Sequence, residues 1–429
     1  MFMFHIHSHI HIHIFIFHDR IVHNNLVLSF LFKKCKKKKI LGICILPGRL
    51  PHQYHNADRG MKLTKAPDGE TASITTTSEV GRDEGEVSAT EQPEIEEEVI
   101  VVDPDLLLTL ERRVQIKNAM IHAWSGYKAN AWGHDEVRPV SGGFNSHWGG
   151  LGTTLIDSLD TLWLMDMKDE FYEARDWVRD ELNHDLDKNL SVFETTIRSL
   201  GGLLSAYAWS KDEVFLDKAK DIGERLFRAF PDGDQLGVPS EQVNLKNGRR
   251  SSQGWLAGKY IISEMGTLQV EFRDLASRTG KELYARKAEH VFEMLKDIQP
   301  ADGLFPYFLS YKSGRLSFQN SDVSFGAFGD SFYEYQLKIW LQGGKKEPMY
   351  REMYDKSIDG MHQQLLHTTP DGLYYIGTRS SSTKFEHLTC FMGGLLALGA
   401  YTDPNGLDST RAQRDLKTAK ELARTCYQM

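Results

Sequence analysis

Apolar residues recur at helical spacing along most of the chain, from Leu106 to the C-terminus, and strand-like alternation is scarce. Four segments begin alike, with an acid near the start, an aromatic side chain and then a long amphipathic run. They start at Asp169, Asp212, Lys281 and Lys346. Acid near a helix start complements the helix dipole, and an amphipathic run is typical of a helix with one solvent-facing side. We therefore predict outer helices at these four positions.

More apolar segments lie between these helices, and several contain glycines. They run over 155–165, 195–207, 260–277, 331–340 and 388–401. Because a glycine inside an exposed helix costs roughly 1 kcal/mol relative to alanine, paired glycines indicate helices packed too closely for a side chain. We predict that these segments are inner helices. A last amphipathic helix is predicted over 408–429.

Two of the inner segments are near repeats of each other. Phe193-Glu194 precedes Gly201-Gly202-Leu203-Leu204, and Phe385-Glu386 precedes Gly393-Gly394-Leu395-Leu396, at an offset of 386 − 194 = 192 residues. Alternating inner and outer helices with short loops predict an all-α toroid of helical hairpins, with an open helical solenoid as the alternative. In a toroid, acids that begin the inner helices would meet at one mouth.

Composition narrows the class of protein. The 429 residues are 41% hydrophobic and 26% charged, which is enough to bury a large core. The net charge of −8 provides no basic field for nucleic acid, so no nucleic-acid partner is expected. None of the four cysteines has a CxxC spacing. Cys390 and Cys426 are either one disulfide, which needs an oxidising compartment, or two buried thiols.

The N-terminal part differs from the rest in composition. Residues 1–65 are a low-complexity leader in which histidines alternate with apolar residues, and this pattern fits an unstructured leader better than a metal-binding tract. Leu26 to Phe32 is too short to span a bilayer, and the lysine run after it fits either a positive flank or the start of a signal segment. Membrane anchorage is therefore left open. Residues 66–104 are predicted to be a disordered acidic linker, and 105–429 the folded domain.

Three carboxylates stand at the starts of predicted inner helices: Glu194, Asp330 and Glu386. Each has a structural explanation of its own. Glu194 is placed for an ion pair with Arg198 one turn later, Asp330 for a helix N-cap, and Glu386 for a polar helix start. Their shared placement, with aromatic residues beside each, instead favours a concave site for sugar recognition and glycosidic cleavage, which needs two carboxyl groups.

Several segments together resemble a known family, the class I α-1,2-mannosidases of glycoside hydrolase family 47. The resemblance extends from about Arg112 to the C-terminus. The segments that carry it are 155–163, 191–198, Gly254-Trp255, 329–335 and 386–391. It implies an (α/α)7 barrel, a bound Ca²⁺, and inverting removal of terminal α-1,2-linked mannose from high-mannose N-glycans on glycoproteins. It also implies a lumenal location in the endoplasmic reticulum or Golgi.

The resemblance also implies residue roles. Glu194 and Asp330 would be catalytic, with Glu194 the preferred acid, acting through water. Arg198 and His387 would line the mannose subsite, with Glu264, Glu271 and Glu386 as weaker substrate-binding candidates. Cys390 and Cys426 would form the family's disulfide.

Two elements of the family pattern are missing from the 429 residues. The family's third carboxylate lies in an Arg-Pro-Glu motif, and a threonine near its C-terminus binds the calcium; neither is found here, so no metal ligand is assigned. The sequence therefore predicts an incomplete barrel that lacks its last hairpins. A mannosidase-like protein of glycoprotein quality control, which binds glycans without cleaving them, is the alternative function.

Two further residues bear on glycans. Phe328 stands where the endoplasmic-reticulum branch of the family has an arginine, which leaves the preferred mannose branch open. Asn189-Leu190-Ser191 is an N-glycosylation sequon, as expected of a secretory protein.

Overall fold

The computed structural model describes residues 61–65, 72–76, 100–101 and 104–429. The histidine-rich leader, the 26–32 segment, the lysine run and most of the acidic linker lie outside the described residues. Within them, we find no helix that is both long and apolar enough to cross a bilayer.

Two short strands lie in the segment 66–104 that was predicted to be a linker. Met61–Lys65, Ala72–Thr76 and Ile100–Val101 form a three-stranded antiparallel sheet in chain order. Isoleucine and threonine are enriched in the second strand, and such β-branched residues favour extended backbone even within a polar, low-complexity segment. This sheet and the first part of helix α1 (Pro104–Ala131) belong to a compact unit that ends at Gly126, and Tyr127–Met429 belongs to a second unit.

Alternating helices build the second unit. In chain order they are α2 (Thr153–Leu164), α3 (Lys168–Asp180), α4 (Val192–Thr195), α5 (Gly201–Ser210), α6 (Glu213–Phe227), α7 (Ile262–Met265), α8 (Gln269–Thr279), α9 (Glu282–Asp297), α10 (Asp330–Gln342), α11 (Pro348–Gln364), α12 (Met392–Tyr401) and α13 (Thr410–Gln428). Thr196–Leu200 joins α4 to α5 as a π-helix, and short 3₁₀ helices cover Gly254–Leu256 and His387–Phe391.

The contacts between these helices follow the predicted alternation. The inner helices α2, α5, α8 and α10 pack on one another in succession, and each packs against the outer helix that follows it: α3, α6, α9 and α11. Helix α12 packs against α13. Burial separates the two classes, because α10 is buried at every position from Ser331 to Trp340, whereas α3 buries only Phe171, Ala174 and Val178. The unit is therefore built of α/α hairpins.

The paired glycines behave differently in the two near repeats. A side chain at Gly202 would place its Cβ 2.8 Å from the carbonyl oxygen of Ile156 on α2, so this helix contact does require glycine. A Cβ at Gly394 would meet no atom within 4 Å. The prediction of close backbone packing thus holds at Gly202 and is wrong at Gly394, because α12 exposes that position to open space.

One predicted helix is interrupted. The 260–277 segment contains two helices, α7 and α8, separated by Gly266, Thr267 and Leu268. Gly266 lies in close contact with Phe332, since a Cβ there would come within 2.8 Å of that ring. The break lets the chain turn at this contact, and periodicity alone cannot reveal it.

Short strands connect the helices, and one set leads directly to the candidate site. Asn189–Ser191 pairs antiparallel with Gln242–Asn244, which pairs with Arg250–Ser251. The other strands are Glu136–Val137 with Phe144–Asn145, Tyr260–Ile261 with Phe308–Lys312 and Arg315–Phe318, and Leu366–Thr368 with Tyr374–Ile376. Ser191 then begins α4, so the first sheet fixes where the inner helix starts.

A disulfide closes the C-terminal hairpin. Cys390, in the 3₁₀ helix before α12, is bonded to Cys426 near the end of α13, with their Cα atoms 6.0 Å apart. The two helices are thereby joined covalently as well as by packing.

Candidate functional site

A cavity of about 350 Å³ opens at the start of α4. Its walls come from the loop before α2, the strand that precedes α4, α4 with its π-helical continuation, and α7. The lining residues are His147, Trp148, Thr153, Asn189, Leu190, Ser191, Glu194, Thr195, Arg198, Ser199, Gln242, Gln253 and Glu264. Three of the predicted site residues, Glu194, Arg198 and Glu264, therefore face the same cavity.

Glu194 is held in the first turn of its helix by two partners. Ser191 caps the helix, since its Oγ accepts the backbone N–H of Glu194 at 3.1 Å. The carboxylate Oε2 accepts from Arg198 Nε at 2.8 Å and lies 2.7 Å from Arg198 Nη2. The i,i+4 ion pair considered from the sequence is thus present, and it lies in the cavity wall.

Arg198 is held by more than this ion pair. It lies in the π-helix Thr196–Leu200, a rare helix type that often occurs at functional sites. Its guanidinium lies 5.1 Å from the ring centre of Trp148, and its Nη1 lies 3.5 Å from Asp157 Oδ2 on α2. Burial raises the pKa of Asp157 to about 6, although the nearby Arg198 charge opposes this. The side chain of Arg198 therefore has three neighbours that fix its orientation.

Glu264 enters the cavity from α7. Its Oε1 accepts from Gln253 Nε2 at 3.2 Å, while its buried Oε2 has no hydrogen-bond partner among the described residues. Burial raises the pKa of Glu264 to about 7, with further contributions from the negative charges of Glu241 and Glu194. At neutral pH this carboxyl can therefore hold or release a proton beside Glu194.

Asp330 is the first residue of α10, and the N-cap position belongs to Gly329 instead. The N-cap explanation of Asp330 is therefore wrong: its Oδ1 accepts only the neighbouring backbone N–H of Ser331, at 2.9 Å. Burial raises the pKa of Asp330 to about 7, and the negative charges of Glu334 and Glu386 act in the same direction. A carboxyl in this environment is also suited to proton transfer near neutral pH.

Glu386 approaches the loop before Asp330. Its Oε2 accepts the backbone N–H of Ala327 at 2.7 Å, and Oε1 pairs with Lys384 at 2.5 Å. A Cβ on Gly326 would collide with this carboxylate, so a glycine is needed there. Asp330 and Glu386 are thus neighbours.

Backbone and side-chain contacts link the helix that carries Glu264 to the helix that carries Asp330. Ser263, next to Glu264, donates its backbone N–H to the carbonyl of Phe328 at 3.2 Å, and Thr267 Oγ1 donates to Ser331 Oγ at 2.8 Å. Helices α7 and α10 also pack together. Helices α4, α7 and α10 are thus linked in succession by contacts. Asp330 and Glu386 do not line the Glu194 cavity, so the three predicted acids do not all face this one cavity.

Two predicted residues lie elsewhere. Glu271 is buried between α8 and α10, where Oε1 accepts from Tyr335 OH at 2.7 Å, and it does not line the cavity. Glu271 lies in the first turn of α8, on the side that faces α10, and its position in the sequence alone did not reveal this. His387 is exposed at the start of its 3₁₀ helix and is also not part of the cavity lining.

Sequence reasoning missed three residues that shape the cavity. Asp157, which contacts Arg198, lies in the 155–163 motif, and an acid within a mainly apolar helix was the available signal. Trp148 and Gln253 had no such signal. Gln253 bridges two parts of the wall, since it donates to Glu264 and its Oε1 accepts from Trp255 Nε1 at 2.9 Å.

The described residues do not supply a metal centre by themselves. Among residues 104–429 and the short N-terminal strands, no group of three or more His, Cys, Asp or Glu side chains is arranged to hold a metal ion. The two carboxylates that line the cavity are held by side chains, Glu194 by Arg198 and Glu264 by Gln253.

Comparisons with known proteins identify the family of the chain. The profile of glycosyl hydrolase family 47 matches residues 119–429. A mannosyl-oligosaccharide 1,2-alpha-mannosidase of Arabidopsis thaliana is 43% identical over 323 residues, covering 74% of this chain and 56% of the relative. The endoplasmic reticulum mannosyl-oligosaccharide 1,2-alpha-mannosidase of Homo sapiens is 41% identical over 323 residues, covering 74% of this chain and 44% of the relative.

A solved structure is also similar. An alpha-1,2-mannosidase from Trichoderma reesei matches with a TM-score of 0.64 and 27% identity, over 73% of this chain and 67% of that one. This likeness confirms the predicted all-α fold of the (α/α)7 barrel type. The chain spans about half the length of the curated relatives it matches. By its sequence and its fold, it belongs to glycosyl hydrolase family 47.

Proposed function

We propose that the protein hydrolyses terminal α-1,2-linked mannose from high-mannose N-glycans on glycoproteins. The observation that carries the proposal is the meeting of Glu194, Arg198 and Glu264 around one cavity in a family 47 chain. The relatives named above are mannosyl-oligosaccharide 1,2-alpha-mannosidases, which supports the same substrate class. A cavity of about 350 Å³ is of a size suited to one or two sugar rings.

The proposed roles follow from the partners of each side chain. Glu194 delivers a proton to the leaving oxygen through a water molecule, and Arg198 binds sugar hydroxyls while it orients Glu194. Asp330 is the second catalytic carboxyl of this chain, and its pKa of about 7 suits proton transfer. Glu264, also with a pKa of about 7, binds substrate as a hydrogen-bond donor or acceptor. His387 and Glu386 bind substrate outside the Glu194 cavity. Glu271 stabilises the packing of α8 against α10.

An inverting mechanism is part of the proposal. It requires a water molecule between two carboxyl groups roughly 6.5 to 9.5 Å apart, on opposite faces of the sugar. The anomer released first, measured by proton NMR, tests it. The α-anomer as first product would exclude inversion.

Calcium dependence is proposed from family membership. The described side chains provide no ready-made site, so no step of the mechanism is assigned to the ion. Loss of mannose release on treatment with a chelator, restored by added Ca²⁺, is the expected result.

We propose that the protein acts in the lumen of the secretory pathway, in the endoplasmic reticulum or Golgi. The Cys390–Cys426 disulfide supports an oxidising compartment, and relatives are named for the endoplasmic reticulum. Fractionation of cells, with protease protection of the folded domain inside sealed vesicles, tests the location.

Binding of a high-mannose glycan without cleavage is the second candidate function. The two functions are separated by incubating the full-length protein with a high-mannose glycan. Release of mannose only from α-1,2 linkages, with none from α-1,3 or α-1,6 linkages, supports the hydrolase. Stable retention of the intact glycan with no release supports the binding protein.

A further inference from the structure

The sequence contains one N-glycosylation sequon, Asn189-Leu190-Ser191, and it coincides with the strand that leads into the cavity. Side chains alternate between the two faces of a strand, so Asn189 and Ser191 share a face and Leu190 points the other way. Leu190 is buried against Gly149, where a Cβ would come within 2.6 Å of it. All three residues of the sequon line the cavity, and Asn189 is the exposed one among them.

Asn189 lies at the edge of the cavity and is exposed. Its Nδ2 donates to Ser251 Oγ at 3.1 Å. Among the described residues, this hydrogen bond is the only polar contact of the side-chain amide. An amide nitrogen carries two hydrogens. One of them can be replaced by a sugar while the other continues to bind Ser251, so attachment of a glycan is compatible with the folded strand.

Ser191 has one role in the folded protein and a different role in the nascent chain. In the folded protein its Oγ caps the helix that carries Glu194. In the extended nascent chain the same hydroxyl is free to serve in sequon recognition. Modification before folding therefore does not compete with the cap.

We propose that Asn189 carries an N-linked glycan whose first sugars lie across the opening of the Glu194 cavity. In the reaction, Asn189 Nδ2 forms a bond to the anomeric carbon of an oligosaccharide linked to a polyprenyl diphosphate. The bond from that carbon to the diphosphate oxygen breaks, the polyprenyl diphosphate leaves, and the nitrogen loses one proton. No oxidant or reductant is needed.

The attached glycan restricts access to the Glu194 cavity according to the size of the substrate. Sugars fixed at the rim narrow the approach for a branched glycan on a protein, and leave room for a disaccharide. The site thus favours small or extended substrates over bulky ones. This consequence rests on the proposed hydrolase function and lumenal location, whereas the modification itself needs only entry into the lumen.

The modification is tested by expressing the full-length protein in a eukaryotic secretory host and measuring the mass of the peptide that contains position 189. We expect the mass of a glycan on wild type and on Ser191→Thr, which keeps both the sequon and the cap. Asn189→Gln should lack it. Asn405→Gln, at an exposed asparagine outside any sequon, should keep it. An unmodified peptide from wild type would overturn the proposal.

Placement across the opening is tested by turnover of two substrates, a high-mannose glycoprotein and α-1,2-linked mannobiose. The ratio of the glycoprotein rate to the disaccharide rate should be higher for Asn189→Gln than for wild type, and Asn405→Gln should have the wild-type ratio. An equal ratio in all three would overturn the placement. A glycosylated Asn189 in a protein that releases no mannose from either substrate would instead count against the hydrolase proposal while the modification site stands.

Discussion

The guanidinium of Arg198 binds the carboxylate of Glu194 through two nitrogens, with Nε at 2.8 Å and Nη2 at 2.7 Å from the same oxygen. The two residues are one helical turn apart, at the point where α4 continues as a π-helix. The side chain of Arg198 is also fixed by Trp148 and Asp157 on other elements. The planar fork of an arginine can satisfy all three neighbours at once, which a lysine cannot.

Arg198→Lys should therefore keep the positive charge but lose the planar fork that contacts all three neighbours. We expect turnover of a high-mannose glycan to fall about 100-fold, because misplacement of a catalytic group by about 1 Å has effects of this size. The measurement is kcat for the full-length protein, with thermal unfolding to show that the fold is retained.

Arg278 provides a matched control. It pairs with Asp274 at i,i+4 and lies 4.9 Å from the ring centre of Tyr207, so its contacts copy those of Arg198 outside the cavity. Arg278→Lys should have wild-type turnover. Equal losses in both variants would show that the effect at Arg198 is structural only.

The two near repeats allow a second prediction, which concerns the packing around their glycines. Gly202→Ala would push a Cβ to 2.8 Å from a backbone oxygen of α2, and such overpacking costs about 1–3 kcal/mol of unfolding free energy. Gly394→Ala meets open space and removes a flexible residue from a helix, so a gain of about 0.5–1 kcal/mol is expected. Urea unfolding of both variants measures the difference. A similar effect of both substitutions would contradict the observed asymmetry.

Glu271 provides a prediction about pH. Burial raises its pKa from 4.5 to about 7, so the folded protein holds this proton more tightly than the unfolded chain does. The neutral carboxyl therefore contributes stability that is fully present below about pH 4.5 and is lost as the pH rises through about 7. The change corresponds to roughly 3 kcal/mol at most.

Glu271→Gln should remove this loss, because the glutamine oxygen can still accept from Tyr335. We expect the variant to be more stable than wild type at pH 8 and the two to converge towards pH 5, as measured by chemical unfolding at each pH. A constant difference between the two proteins across this range would show that Glu271 does not titrate as its burial indicates.

The Cys390–Cys426 bond closes a separation of 36 residues. In the chain-entropy account, a loop of this length stabilises the fold by about 4 kcal/mol. Replacing both cysteines with serine should lower the unfolding free energy by about this amount, and reductant should then have no further effect at this hairpin. Unchanged stability would indicate that packing of α12 on α13 alone maintains the hairpin.

Much of the helical framework could be predicted from the sequence, because the spacing of apolar residues is a local property of each helix. The outer helices begin at Lys168, Glu213, Glu282 and Pro348, each within two residues of the predicted start. The break between α7 and α8 could not be predicted, since it depends on contact between Gly266 and Phe332, which is distant in sequence.

The candidate site could be predicted from the sequence only in part. Motifs identified Glu194 and Arg198, and the family resemblance added Glu264 as a weaker candidate. The structure brings these three side chains to one cavity. Nothing in the spacing separated Glu264 from Glu271, because only the packing of α8 on α10 turns Glu271 away from the cavity. The near repeat likewise concealed a difference: Glu194 lies inside its helix, whereas Glu386 directly precedes a 3₁₀ helix.

Mannose release by Glu194→Gln in the full-length protein tests the central claim most directly. Glutamine keeps the size of the side chain and an oxygen that can accept from Arg198, but it cannot exchange a proton. The account predicts loss of mannose release from a high-mannose glycan with thermal stability and glycan binding retained. Turnover equal to wild type in this variant would contradict it.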